Sequence, residues 1–332
     1  MNRPASMTVA PMLVRHTVET PYPVGPVHLY SGELAGRRVL FDTGPPTAVG
    51  RRYLREHLDP GRLDYVFITH GHPDHFGLAA ELSDAGVEVV LSRYDVFDSA
   101  LFGERLASLE KIFLAMGFPP QEVERTRDTL RSFKERVAFP RRYRILEEEG
   151  ALLEELGIDS LSCPGHTQSD IVYLLGDLAV TGDSILQGIF QVPLLDVDYH
   201  DPQVRFSNYA AYCSSLARLK GLGGRTLLPS HREAVPDLDE GLLFYVRKII
   251  ERAALAAPHL RAGCSVYQAV KRLFVPSQLP TPFVMYIKTS EVAFVADFLA
   301  DPQMLVRVLR DHGLLAGVAG QLNELFGSRL AG

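Results

Sequence analysis

Thr69-His70-Gly71-His72-Pro73-Asp74-His75-Phe76-Gly77 is the stretch that decides how this chain folds. The apolar run before it, Tyr65-Val66-Phe67-Ile68, predicts a buried parallel strand. The apolar-patterned segment after it, Gly77 to Ala85, predicts a helix. Three histidines and an aspartate therefore fall within six residues, on the turn that leaves the C-terminal end of a strand. His70 and His72 can project to one side of an extended turn. Asp74 and His75 follow as the turn tightens into the helix. Imidazole and carboxylate at this density suit a borderline divalent metal such as Zn²⁺. A lone histidine is usually a surface or core residue, but four candidate ligands in H-x-H-x-D-H order are hard to explain as packing.

H-x-H-x-D-H after a strand resembles the signature of the metallo-β-lactamase superfamily. The resemblance implies an α+β fold, a four-layer αβ/βα sandwich with its metal site at one end of two facing sheets. It also implies three more ligands downstream, in the order His, Asp, His. Cys163-Pro164-Gly165-His166-Thr167 matches the family's G-H-T motif and offers His166. It continues with Gln168-Ser169-Asp170 where many relatives have Pro-Gly-His, and Asp170 reads as a supporting loop residue. The strand Leu178 to Thr181 ends in Gly182-Asp183-Ser184, which offers Asp183. Thr226-Leu227-Leu228-Pro229 leads to Ser230-His231, with Ser where the family usually has Gly. Upstream, the strand Arg38 to Phe41 ends in Asp42-Thr43-Gly44. Alone this is a capping turn; in this register it matches the family's first motif, whose Asp supports the metal loop without being a ligand.

By resemblance, His70, His72 and His166 hold one divalent ion, and Asp74, His75 and His231 hold a second. Asp183 bridges them. Zinc is the first choice of metal, and iron or manganese suit the same donors. The implied chemistry is hydrolysis by a hydroxide held between the two ions, with Asp74 and Asp183 in the catalytic set. A thioester or an ester or lactone is the expected substrate. RNA phosphodiester cleavage is the alternative. A non-catalytic, metal-stabilised protein that binds nucleic acid or a partner is the reading from another class.

Composition sets the bounds. The 332 residues, 46% hydrophobic and 22% charged, describe a globular chain of ordinary make-up. A net charge of −6 gives no sign of general nucleic-acid affinity. Cys163, Cys213 and Cys264 lie far apart, so neither a disulfide framework nor a zinc-type pair follows, and each reads as a small buried apolar residue. Met1 to Pro11 lacks the apolar core of a signal peptide, and no run approaches a membrane span. The cytoplasm is the expected compartment. The expected partner is a small-molecule substrate, which can be anionic; a second copy of the chain and, after it, nucleic acid are the alternatives, and a membrane is not among them.

Around the motifs the chain divides at about residue 236. Residues 1 to about 12 read as a loose tail, Val24 to Tyr30 as a strand and Gly32 to Gly36 as a turn. Arg51 to Leu58 reads as a short helix and Val87 to Leu91 as a strand. A helical insertion occupies about 95–140, broken at Gly117-Phe118-Pro119-Pro120. It is either an ornament with its own core or a lid over the metals. Residues 237–332 read as a small, mostly helical domain similar in layout to a winged helix. Its helices are expected from Leu242, Ser265, Thr289, Pro302 and Gln321, the last running to Leu330. Between Arg125 and Arg144 eight cations face only Asp128 and Glu135. This is either a solvated helix face, or a set in which Arg141 and Arg142 hold an anionic part of the substrate.

Overall fold

The computed structural model describes residues 12–327. The tail expected over residues 1 to 11 and the end of the last helix, 328 to 330, lie outside the described residues. In chain order the first half holds β1 (Val14–Val18), β2 (Val27–Leu34), β3 (Arg37–Phe41), α1 (Ala48–His57), β4 (Tyr65–Phe67), α2 (Pro73–Phe76), α3 (Ala79–Asp84) and β5 (Glu88–Leu91). Three helices interrupt the sheet: α4 (Arg93–Ala100), α5 (Phe102–Ala115) and α6 (Pro120–Glu135). Then come β6 (Arg144–Ile145), α7 (Gly150–Leu156), β7 (Asp159–Ser162), β8 (Ile171–Leu175), β9 (Leu178–Gly182), α8 (Asn208–Lys220) and β10 (Thr226–Pro229). The chain closes with α9 (Leu238–Arg261), α10 (Val266–Leu273), α11 (Pro282–Ala300), α12 (Pro302–Asp311) and α13 (Ala319–Phe326).

The strands form two sheets, β1-β2-β3-β4-β5-β6 and β10-β9-β8-β7. From β3 to β6 the pairing is parallel. Those strands are apolar on both faces, as parallel strands covered on both sides must be. Along β3, Val39 and Phe41 point between the sheets while Leu40 points to the outer helices. Along β8, Tyr173 faces the inner layer and Val172 the outer. This two-residue alternation gives three apolar layers and hence the αβ/βα sandwich the motifs implied. Phe41, Phe67 and Tyr173 meet in the inner layer with ring centroids 5.3–5.6 Å apart. Two tyrosines sew the sheets together: Tyr173 donates to Ile68 O and Tyr30 to Pro229 O, each at 2.7 Å. Each such bond contributes on the order of 1 kcal/mol, and each also fixes the strand end that carries metal-site residues.

Several expectations need correction. β1 went unforeseen because its sequence, Val-Arg-His-Thr-Val, is mostly polar, as an exposed edge strand can be. Gly32 lies inside β2; the turn is Ala35-Gly36, both at positive φ (49° and 76°), the two-residue hairpin geometry matched to strand twist. The region after Asp237 contains no strand among the described residues, so the wing of a winged helix is missing. Its helices also share cores with the rest of the molecule. Residues of α9, α11 and α12 pack with α8 and the second sheet. Ala269, Met285 and Tyr286 pack with Leu109, Phe113 and Val123 of the inserted helices. Of the cysteines, Cys163 and Cys213 are buried but Cys264 is only half-buried. No helix among the described residues is long and apolar enough to cross a membrane.

Candidate metal centre

The floor of the site is a set of loops at one end of the sandwich. β4 stops at Phe67, and Pro73 starts α2 one residue after His72. Proline suits a first helical position because its missing N–H is not needed there. Asp74 and His75 thus stand on a helical turn while His72 stays on extended backbone and His70 precedes the helix. Asp42, at the end of β3, sits at φ 62°, a strained position for a non-glycine residue. Its carboxylate accepts from Thr69 N (2.8 Å), Thr69 Oγ1 (2.9 Å) and His75 Nδ1 (2.8 Å). Ser230 Oγ adds a longer bond at 3.3 Å. Those bonds tie the first, second and last motifs to one another. Gly182, at φ 52°, lies so close to Thr69 that a Cβ there would sit 2.9 Å from that side chain. This position before Asp183 therefore demands glycine twice over.

The seven ligand candidates converge. His70, His72 and His166 bring nitrogens to one point; Asp74, His75 and His231 bring atoms to a second. His72 Nδ1 lies 3.0 Å from both His70 Nε2 and His166 Nε2. Asp183 spans the two groups. Its Oδ2 is 3.7 Å from His166 Nε2, and its Oδ1 is 3.6 Å from both His75 Nε2 and His231 Nε2. His231 Nδ1 donates to Pro26 O at 2.7 Å, and His75 Nδ1 to Asp42. Each ring therefore turns its Nε2 inward. Both of those nitrogens and Asp183 Oδ1 are buried without a hydrogen-bond partner. Leaving such atoms unpaired costs roughly 1–3 kcal/mol each, and more when charged. Divalent cations would satisfy all of them, and the nitrogen and carboxylate donors suit zinc, iron or manganese. The residues fit the metals that the motifs imply.

A profile of the metallo-beta-lactamase superfamily matches residues 27–231, a span that runs from β2 to the last candidate ligand. The chain belongs to the metallo-β-lactamase superfamily. With the family stands the enzyme class expected from the motifs, a metallo-hydrolase. Among curated proteins it is 27% identical over 235 residues to the one named probable metallo-hydrolase YqjP from Bacillus subtilis (strain 168), covering 66% of this chain and 70% of that one. Among solved structures it is similar to a metallo-beta-lactamase family protein from Thermus thermophilus, with a TM-score of 0.68 at 24% identity, over 91% of this chain and 94% of the other. A beta-lactamase domain protein from Burkholderia ambifaria superposes with a TM-score of 0.67 at 22% identity, over 88% of each chain. Both structural matches extend past residue 231, so the C-terminal helices belong to a fold other members of the superfamily share.

The two halves of this superfamily site differ electrostatically. Burial holds His70 far below its ordinary value, and lowers His72 to about 4 and His166 to about 3. These are neutral imidazoles, ready as ligands. For His75, burial works in the same direction, but Asp183, Asp74 and Asp42 outweigh it and lift the ring to about 10. His231 is also raised against the pull of burial, by Asp183 and Asp74. Asp74 goes the other way: burial opposes its charge, and His75 and His231 overcome that and hold it low. Before metal binds, this second half is a cluster of imidazolium and carboxylate. Cation binding there must expel protons.

Above the floor lies a cavity of about 160 Å³. Its roof comes from α4, α5 and α6, from the loop after β9 and from α11. The inserted helices thus cover the cavity, and they share their core with the C-terminal helices. His72 and His166 line this cavity, while Asp74, His75 and His231 do not. Asp95 lines it too, so close to the ligand loop that a Cβ on Gly71 would sit 2.7 Å from its Oδ1. Asp98, Arg105, Lys134 and Tyr199, all half-buried, and the buried Asp196 form a charge network in the wall that the motifs gave no sign of. Its partners stand up to 101 residues apart.

The arginines singled out from the sequence lie elsewhere. Arg141 is exposed, and Arg142 Nη2 donates to Ser83 O (3.1 Å) beside α3; neither lines the cavity. Arg125 pairs with Glu122, Arg127 with Glu110 and Asp128, and Arg144 with Glu149. Only Lys134 of the basic run reaches the cavity wall. Asp170 is a loop residue: it accepts from Thr167 N (2.7 Å) and Thr167 Oγ1 (2.6 Å), which holds the turn that presents His166. His200 meets Tyr94 at 3.0 Å and belongs to none of the ligand groups.

Proposed function

We propose that the protein hydrolyses a thioester or an ester, lactones included, of a small molecule, using two divalent cations. The observation that carries this reading is Asp183, whose two oxygens face separate groups of inward-turned nitrogens at 3.6–3.7 Å. A single structural metal would not need a carboxylate reaching both groups, nor a cavity above it. His70, His72 and His166 would hold one cation. Asp74, His75 and His231 would hold the other, and Asp183 would touch both. Bound there, the cations supply a lowered pKa for water and polarisation of the scissile carbonyl.

The chain's own residues contribute orientation and exclusion of water. Asp42 fixes the ring of His75 and the backbone of Thr69, so the floor is set before substrate arrives. Pro26 O does the same for His231. The neutral rings of His72 and His166 border the cavity, which supports a carbonyl held at that half. Asp74 lies toward the other half, 3.4 Å from His231 Nε2, where it can take the proton of the attacking water and pass it to the departing thiolate or alkoxide. Zinc is the first candidate metal. The test is metal analysis combined with one panel of substrates: a thioester, a lactone, a p-nitrophenyl ester and a phosphodiester. Two metals per chain and turnover of the carbonyl substrates are expected. Turnover of the phosphodiester alone would overturn the assignment.

A further inference from the structure

We propose that the cavity takes an uncharged limb about the size of a phenyl ring or a six-carbon chain, joined directly to the scissile carbonyl. This rests on the carbonyl hydrolysis proposed above and narrows its substrate class. Size is the first argument. An apolar cavity of about 150 Å³ accommodates benzene, and this one measures about 160 Å³. The second argument is the lining: Phe102, Leu130, Phe133, Val137, Phe206 and Phe283 face it.

Charge is the third argument. Two cations and two anions stand in the wall, and they are spent on one another. Arg105 Nε donates to Asp196 Oδ1 (2.6 Å), and Arg105 Nη1 lies 2.8 Å from Asp98 Oδ1. Lys134 Nζ donates to Asp98 Oδ2 (2.6 Å). Tyr199 OH lies within 2.9 Å of Asp196 Oδ2 and 3.2 Å of Asp98 Oδ1. Asp95 has no cationic partner, and burial pushes its carboxyl up to about 8, so near neutral pH it adds little charge. A carboxylate or phosphate on the limb would therefore shed its water and find no free cation among the described residues that line the cavity. The fourth argument is direction. The cavity touches the His72 and His166 half and none of Asp74, His75 or His231. The limb it holds therefore hangs from the carbonyl and not from the leaving group.

Two measurements test this separately from hydrolysis itself. In the first, metal-free protein is titrated with benzamide, hexanamide and acetamide and followed by NMR. Benzamide and hexanamide should bind at least tenfold more tightly than acetamide. In the second, metal-loaded protein is given p-nitrophenyl acetate, hexanoate, benzoate and hemisuccinate. The hexanoate should exceed the acetate in kcat/KM by on the order of 100-fold, as four extra buried methylenes allow, with the anionic hemisuccinate lowest. Leu130→Trp should cut the hexanoate-to-acetate ratio by at least tenfold, and Phe133→Ala should shift the optimum to a longer chain. Equal rates on acetate and hexanoate, or a preference for hemisuccinate, overturn the inference even if hydrolysis is established. Retained amide selectivity with no ester or thioester turnover leaves the cavity assignment standing and sinks the hydrolysis reading instead.

Discussion

The floor and the roof of this site are built on different principles. The floor is a set of loops in which three of the ligand rings have a partner behind them: Thr69 for His70, Asp42 for His75 and Pro26 O for His231. Asp42 alone accepts from the main chain and side chain of Thr69 and from His75. The roof is a set of helices held by side chains: an apolar core shared with the C-terminal helices, and one charge network. The difference separates two tasks. A metal site tolerates little displacement, so it is fixed by short bonds to strand ends. A substrate cavity has to vary in shape, and helices that meet through side chains can be repacked without disturbing the floor.

If that division holds, damage to one part should leave the other working. Asp183→Ala, the harshest test, should leave a folded protein that binds fewer metals and loses at least the ~10²-fold in activity that even outer-shell partners are worth. Circular dichroism with metal analysis checks it, and full activity with one metal would dissolve the two-metal floor. Arg105→Met comes next. It leaves Asp98 paired with Lys134 but takes from the buried Asp196 the cation it is paired with, and removing one partner of a buried pair costs up to about 3–5 kcal/mol. Denaturation should show that loss while metal content at saturation stays at the native value. A fall in both would mean that floor and roof are one unit.

Asp95→Asn is a gentler probe of the seam between them. In the folded protein burial lifts this carboxyl from 3.8 to about 8. Between those values the native state keeps a proton that the unfolded chain has released. The stability that Asp95 contributes is therefore full below 3.8 and drains away as pH rises through about 8. The asparagine variant has no such loss. Its Tm relative to the native protein should climb between about pH 5 and pH 8.5 by on the order of 5 °C, then level off. A difference that stays constant with pH would show that Asp95 is already ionised. The smallest effect is expected from Arg141→Ala with Arg142→Ala. Lying outside the cavity, the pair should change stability by no more than about 0.5 kcal/mol and leave KM for neutral and anionic substrates alike. A KM rise for the anionic substrate alone would move the roof to where the sequence had placed it.

The same division explains what could be read from the sequence. The ligand candidates were legible because each sits within a few residues of a strand end, in a short pattern whose chemistry is local. Asp42 was legible for the same reason. The roof was not, because its defining bonds are long-range: Arg105 to Asp196 spans 91 residues and Lys134 to Asp98 spans 36. Nothing local marks Arg105 as different from the exposed arginines nearby. Helix starts were missed for related reasons. α11 begins at Pro282, well before the Thr289 expected, because it is apolar nearly all round and shows no period to read. α9 begins at Leu238, where Asp237 Oδ1 accepts from Glu240 N, a cap that the apolar pattern from Leu242 did not reveal. Where a local cap stood in plain view, as at Ser265 with Gln268, the start was read correctly.

The placement of α11 in the roof has a consequence for how the protein comes into being. Synthesis runs from the N-terminus, and all seven ligand candidates have been made once His231 is added. Phe283 and Tyr286, which wall the cavity, come more than fifty residues later. A growing chain therefore passes through a stage in which the metal loops and the inserted helices exist and α11 does not yet close the cavity. At that stage the cavity lacks its α11 wall and stands open on that side to whatever small molecules the surroundings hold. Selectivity is the last property the chain acquires, and it arrives with its own closing helices.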